Sequence, residues 1–190
     1  MNMRYLAITI LFSCAVLISI WSCEGLGADN DAQYDSLFMG FYLGMDRQAF
    51  FDRCWDLNRQ QVFTNGPTER SVEWKMTSEF DHPVICRFYP TFEHNRIYEL
   101  PVLFSYEAWA PWNRQYQSDS LLVHTLDLFK RWYGDDFKEL DHETQGKVYY
   151  RIDGKRRINL FIRDEQYVQA VFTDLKVEKE LKENEDNEGS

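Results

Sequence analysis

Two stretches of the chain carry apolar residues at helical spacing, and each is followed by stretches that alternate. In DRQAFFDRCWDLNRQ, Asp46 to Gln60, the residues Phe50, Cys54 and Leu57 recur at i, i+4 and i+7, widened by Phe51 and Trp55. Asp46 suits the N-cap, since its carboxylate can accept from a free backbone N–H of the first turn. The second helix is expected from Asp119 to Tyr133, with Leu122, Leu126 and Phe129 on one face and Leu121, Leu128 and Trp132 extending it. Lys130 and Arg131 suit its negative C-terminal end, and Gly134 can leave it in the left-handed conformation.

After each helix the period falls to two. Val72, Trp74 and Met76 alternate with Glu73 and Lys75; Val84, Cys86 and Phe88 share a face. In YELPVLFSY, Tyr98, Leu100, Val102, Phe104 and Tyr106 share one, and Pro101 points the other way, which suggests an edge or a bulge. Val148, Tyr150 and Ile152, then Ile158, Leu160 and Ile162, then Val168, Ala170 and Phe172 form three further sets. One-sided alternation marks antiparallel strands with one face on the core. Asp153-Gly154 reads as a hairpin turn. A two-residue loop at Asp153-Gly154 would bring Lys155 opposite Ile152. A three-residue loop, Asp153 to Lys155, pairs Arg151 with Arg157 and keeps the apolar sets together.

The expected order is helix, about four strands, helix, about four strands, with a lead-in strand near Leu37–Leu43. The fold class is α+β: two tandem helix-plus-antiparallel-meander halves, residues 34–117 and 118–175, with the helices on one face of the sheet. This layout resembles the β-lactamase-inhibitor-protein-like fold. The resemblance is one of architecture over most of residues 40–175, so it carries no functional residues across.

The chain's start has a different character. Arg4 is the sole charge in the first 23 residues, and Tyr5 to Trp21 are almost all apolar. A positive start before a short apolar run is the layout of a secretory signal. Ile20-Trp21-Ser22-Cys23 resembles the lipobox of bacterial lipoproteins, with Trp21 where that pattern has a small or β-branched residue. The resemblance implies a signal peptide over 1–22, cleavage before Cys23, and a lipid on Cys23. Two alternatives stand beside it: cleavage after Gly25-Leu26-Gly27, and an uncleaved anchor. All three place the body outside the cytoplasm. Residues 23–33 then read as a polar tether, and 176–190, with three Lys against six acids, as a disordered acidic tail.

The net charge of −10 argues against nucleic-acid binding, which needs a basic stripe. With 16% aromatic residues, a disordered body is excluded. His82, His94, His124 and His142 show no ligand spacing, and no nucleophile elbow or phosphate loop occurs. No catalytic residue, metal ligand or cofactor is nominated. Cys54 and Cys86 fall on inward faces, which fits a disulfide or two buried thiols. Two sets of binding candidates remain. Trp109 and Trp112 flank Pro111 in the crossover, with Tyr106 and Tyr116 near; they form either a recognition surface or a plug over the sheet end. The last meander is expected to point Lys147, Tyr149, Arg151, Arg157, Asn159, Phe161 and Arg163 to one side, either as a docking face for an acidic partner or as a solvated face matched by nearby acids. The expected function is therefore a membrane-tethered, non-enzymatic protein-binding module of the cell envelope. A glycan or small-ligand binder using the tryptophan loop is the alternative, and a small enzyme comes third.

Overall fold

The computed structural model describes residues 35–68 and 70–188. Cys23, the expected signal peptide and the whole of the expected tether lie outside these residues. The order is α1 (Arg47–Arg59), β1 (Phe63–Asn65), β2 (Val72–Met76), β3 (Val84–Phe88), β4 (Thr91–Glu93), β5 (Arg96–Tyr106), α2 (Ser118–Tyr133), β6 (Lys138–His142), β7 (Gly146–Asp153), β8 (Arg156–Ile162), β9 (Val168–Asp174) and α3 (Leu175–Glu188). The protein is α+β, as its periodicities require. The helices α1 and α2 start and stop within one residue of the expected bounds, although Gln117, at the N-cap of α2, makes no side-chain capping bond. The Asp46 carboxylate accepts from Gln48 N at 2.8 Å. Gly134 ends α2 at φ +98, a backbone conformation that costs glycine little.

The nine strands form one antiparallel sheet in the order β1-β2-β3-β5-β9-β8-β7-β6, with β4 beside β5. Each half contributes one meander, and the pairing of β5 with β9 welds them: Leu100 opposes Phe172 and Val102 opposes Ala170. Opposed residues share a face, so α1 and α2 cover a single continuous core. Phe50 and Leu57 of α1 and Leu121, Leu128 and Phe129 of α2 are buried against Cys86, Phe104, Leu160 and Phe172. Pro101 is neither in an edge strand nor at the bulge. It sits where β5 passes from β3, paired up to Val102, to β4, paired from Glu99, so that side of the ladder needs no N–H there.

Three expectations are corrected, and one pair of alternatives is decided. First, Leu37–Leu43 is not a strand but a set of turns closed by a bridge between Ser36 and Tyr42. Its Met39 and Gly40 both have positive φ, which breaks the extended backbone and lets Leu37, Phe38, Phe41 and Leu43 all turn inward. Second, the β7–β8 loop is Gly154-Lys155, not Asp153 to Lys155. Asp153 opposes Arg156 and Ile152 opposes Arg157. A register slip of one residue exchanges the faces of a strand. Tyr149 and Arg151 therefore lie on the helix side, while Ile152 is 54% exposed. The physical reason is charge: this register lets the Asp153 carboxylate accept from Arg151 Nε at 2.7 Å and from Arg156 Nη2 at 2.9 Å.

Third, the acidic tail is helical as far as Glu188. The Asp174 carboxylate caps α3 by accepting from Lys176 N at 3.0 Å. Glu178 accepts both terminal nitrogens of Arg157, at 3.1 and 2.8 Å, and Lys182 lies one turn from it. Those contacts offset the low apolar content of the segment. Of the two alternatives for Cys54 and Cys86, the structure has both as free thiols and no disulfide between them. Cys86 is fully buried in β3, and Cys54 is half-buried on α1. Burial pushes the Cys54 thiol up to about 12. It raises Cys86 further, with Glu79 adding to the effect.

Candidate functional site

The crossover between the halves is pinned at both ends. Glu107 N donates to Pro83 O at 2.9 Å at one end and Ser118 N to Glu165 O at 3.1 Å at the other, and Gln117 Nε2 donates across the loop to Ala110 O at 3.2 Å. The pinned loop separates its two tryptophans. Trp109 packs on the core with its indole N–H buried, whereas Trp112 stands 85% exposed. Tyr116 turns its ring to Tyr106 and to His82, each 5.2 Å away between centroids. The aromatic set is thus divided between packing and a single exposed indole.

The arginines also separate. Arg151 lies on the helix side of the sheet, bonded to Asp153 and, at 3.3 Å, to Asp136. Arg157 lies on the opposite side, held by Glu178. Each is matched by acid, so the expected like-charge opposition does not arise. Lys147 likewise meets Glu139 at 2.6 Å on the helix side.

Arg163 behaves differently. Alternation along β8 carries Arg157, Asn159, Phe161 and Arg163 to the face away from α1 and α2. On that face Arg87 of β3, Leu103 of β5 and Gln169 of β9 form one row across the sheet. The β1–β2 loop bends over the end of this row. The result is a groove of about 480 Å³ whose lining includes Arg70, Arg87, Arg163, Tyr167, Pro101 and Leu103. Arg87 is paired with Glu73 at 2.8 Å, and its Nη1 is 3.5 Å from Tyr167 Oη. Arg163 has Asp164 at 4.0 Å, the limit of an ion pair. No described acid forms an ion pair with Arg70. Three guanidiniums therefore border the groove, and among the described residues only that of Arg87 is firmly bonded to a carboxylate, Glu73. Arginine's flat fork of donors matches carboxylate geometry.

Arg87 was legible as an outward position of VICRFY. Arg70 was not, because it belongs to a loop with no period, and only the fold brings it beside Arg163. Among the described residues no cluster of three His, Cys, Asp or Glu is placed to hold a metal ion. No described helix is long and apolar enough to cross a membrane. Comparison with protein-family profiles, with curated proteins and with solved structures gives no match.

Proposed function

We propose that this chain is an exported lipoprotein, tethered through lipid on Cys23, and that its domain is a non-enzymatic protein-binding module of the cell envelope. The observation that carries the binding role is the arginine-lined groove on the side of the sheet away from α1 and α2. In a chain of net charge −10, a local excess of guanidinium attracts an acidic segment, while the net charge of the whole keeps copies of the chain apart. Tyr167, Pro101 and Leu103 supply the flat apolar contact that such a segment needs between its charges. The tether and lipid would hold the module at a membrane while leaving the groove free.

Arg70 and Arg163 are exposed and play no part in the core. The double variant Arg70→Glu, Arg163→Glu should therefore melt within a degree or two of the parent. Its capture of a crosslinked partner in cells should fall by about tenfold or more. Undiminished capture by a folded double variant would sink the groove as the docking site. The tether has its own test. Metabolic labelling with a fatty acid should mark the parent and not Cys23→Ala. A mature protein that still carries residues 1–22 would defeat the lipoprotein reading.

A further inference from the structure

The α1 helix has two apolar stripes. One, Phe50 and Leu57, is buried in the core. The other, Phe51, Cys54, Trp55 and Asn58, runs at i, i+3, i+4 and i+7 along an open wall. Facing it are β1, the start of β2 and Tyr89, and the space between is about 430 Å³, the size range of a small-ligand pocket. Its closed side is finished: Asn58 Nδ2 donates to Phe63 O at 3.0 Å, sealing helix to strand. Its open side is not. Trp55 is 65% exposed and Phe51 42% exposed, an unusual outlay of aromatic surface for a helix that already has a buried face.

The charge of this pocket is one-sided. Among its described lining residues none is Lys, Arg or His, and the one carboxylate is Asp52. Gln48 Nε2 donates to Asp52 Oδ1 at 2.9 Å, which fixes that carboxylate beside the aromatic wall. Aromatic faces carry negative quadrupole charge and attract cations, most of all when the cation is an alkylated ammonium that sheds water readily. Phe51, Trp55 and Tyr89 supply the faces, Asp52 supplies the formal charge, and the acidic protein adds its long-range field.

We infer that the pocket between α1 and the β1–β2 edge is a binding site for a small soluble ligand bearing an alkylammonium group. It is separate from the arginine groove and does not rest on the reading of that groove. A neutral apolar molecule is the competing occupant, and it would use the same rings without the carboxylate.

Choline and its neutral isostere 3,3-dimethylbutan-1-ol differ in the charge alone, so the pair separates the two. In calorimetric titrations of the folded mature chain, choline should bind about tenfold tighter than the isostere. Trp55→Ala and Asp52→Asn should each lose about tenfold for choline, Asp52→Asn should leave the isostere unaffected, and Trp112→Ala should change neither. Choline should also slow modification of Cys54 by a thiol reagent, read by peptide mapping, because Cys54 lines the pocket. Equal binding of both probes, binding of neither, or choline binding indifferent to Trp55 and Asp52 would each overturn the assignment.

Discussion

Asp153→Ala should destabilise the protein by about 3–5 kcal/mol, because it leaves two buried guanidiniums without their shared carboxylate. The side chains of Arg151, Asp153 and Arg156 are 13%, 9% and 5% exposed. One carboxylate oxygen of Asp153 accepts from both arginines, at 2.7 and 2.9 Å. Arg156 also lies 4.9 Å over the Tyr133 ring and donates to Ser36 O, so it cannot swing out to water without breaking the seam between β8, α2 and the lead-in turns. Urea unfolding measures the loss. Asp136→Ala is the control: its side chain is 91% exposed, so it should cost well under ~1 kcal/mol. A loss for Asp153→Ala no larger than for the control would show that the cluster does not hold the hairpin.

The same cluster contributes to the acid limb of stability. Burial by itself would raise the Asp153 carboxyl. The hydrogen bonds and charges of Arg151 and Arg156 outweigh it and hold the group below the usual carboxylate value. A depressed carboxyl stabilises the fold fully above its unfolded value of about 3.9 and loses that contribution as pH falls through its lower folded value. The parent should thus keep this contribution at pH 5 and shed it below about pH 4, where Asp153→Ala should show a flatter decline.

Phe41→Ala should cost about 3–5 kcal/mol, the range for emptying a fully buried aromatic site. Phe41 is 1% exposed. Its ring lies 5.2 Å from Phe50, 5.5 Å from Phe88, and 6.0 Å from both Phe38 and Phe63. It therefore ties α1, β1 and β3 to a lead-in segment that has no ladder of its own. Arg53 Nε donates to Met39 O at 2.9 Å and secures that segment from the α1 side. Rigid turns of this kind cannot collapse into the space a removed ring leaves, so the cavity term should be near its full size. Denaturant unfolding of Phe41→Ala beside Tyr42→Ala is the test, since the neighbouring ring is 44% exposed and its loss should stay near ~0.5 kcal/mol. Similar losses for the two would refute the role given to Phe41.

The sequence by itself determined α1 and α2, to within about a residue at each end, because their apolar stripes and the Asp46 and Gly134 caps are local properties. It also determined β2, β3, β5, β8 and β9, each buried on one face so that alternation records the core. It did not determine the face of β7. Tyr149 and Tyr150 are both large and half-buried, so the period is ambiguous there, and a pair of arginines sharing one aspartate set the register instead. Nor did composition reveal α3, whose stability depends on an arginine in β8. The three-residue β1 and β4 are too short for a period to emerge, and the five-residue β6 is exposed throughout, so it has no apolar face for alternation to record. Both candidate sites belong to what only the tertiary structure decided. Arg70, Arg87 and Arg163 are far apart in the chain, as are Trp55 and Tyr89. They meet because β5 pairs with β9 and because a short edge strand folds back on α1. Such long-range pairing is a property of the whole sheet, and no local pattern encodes it.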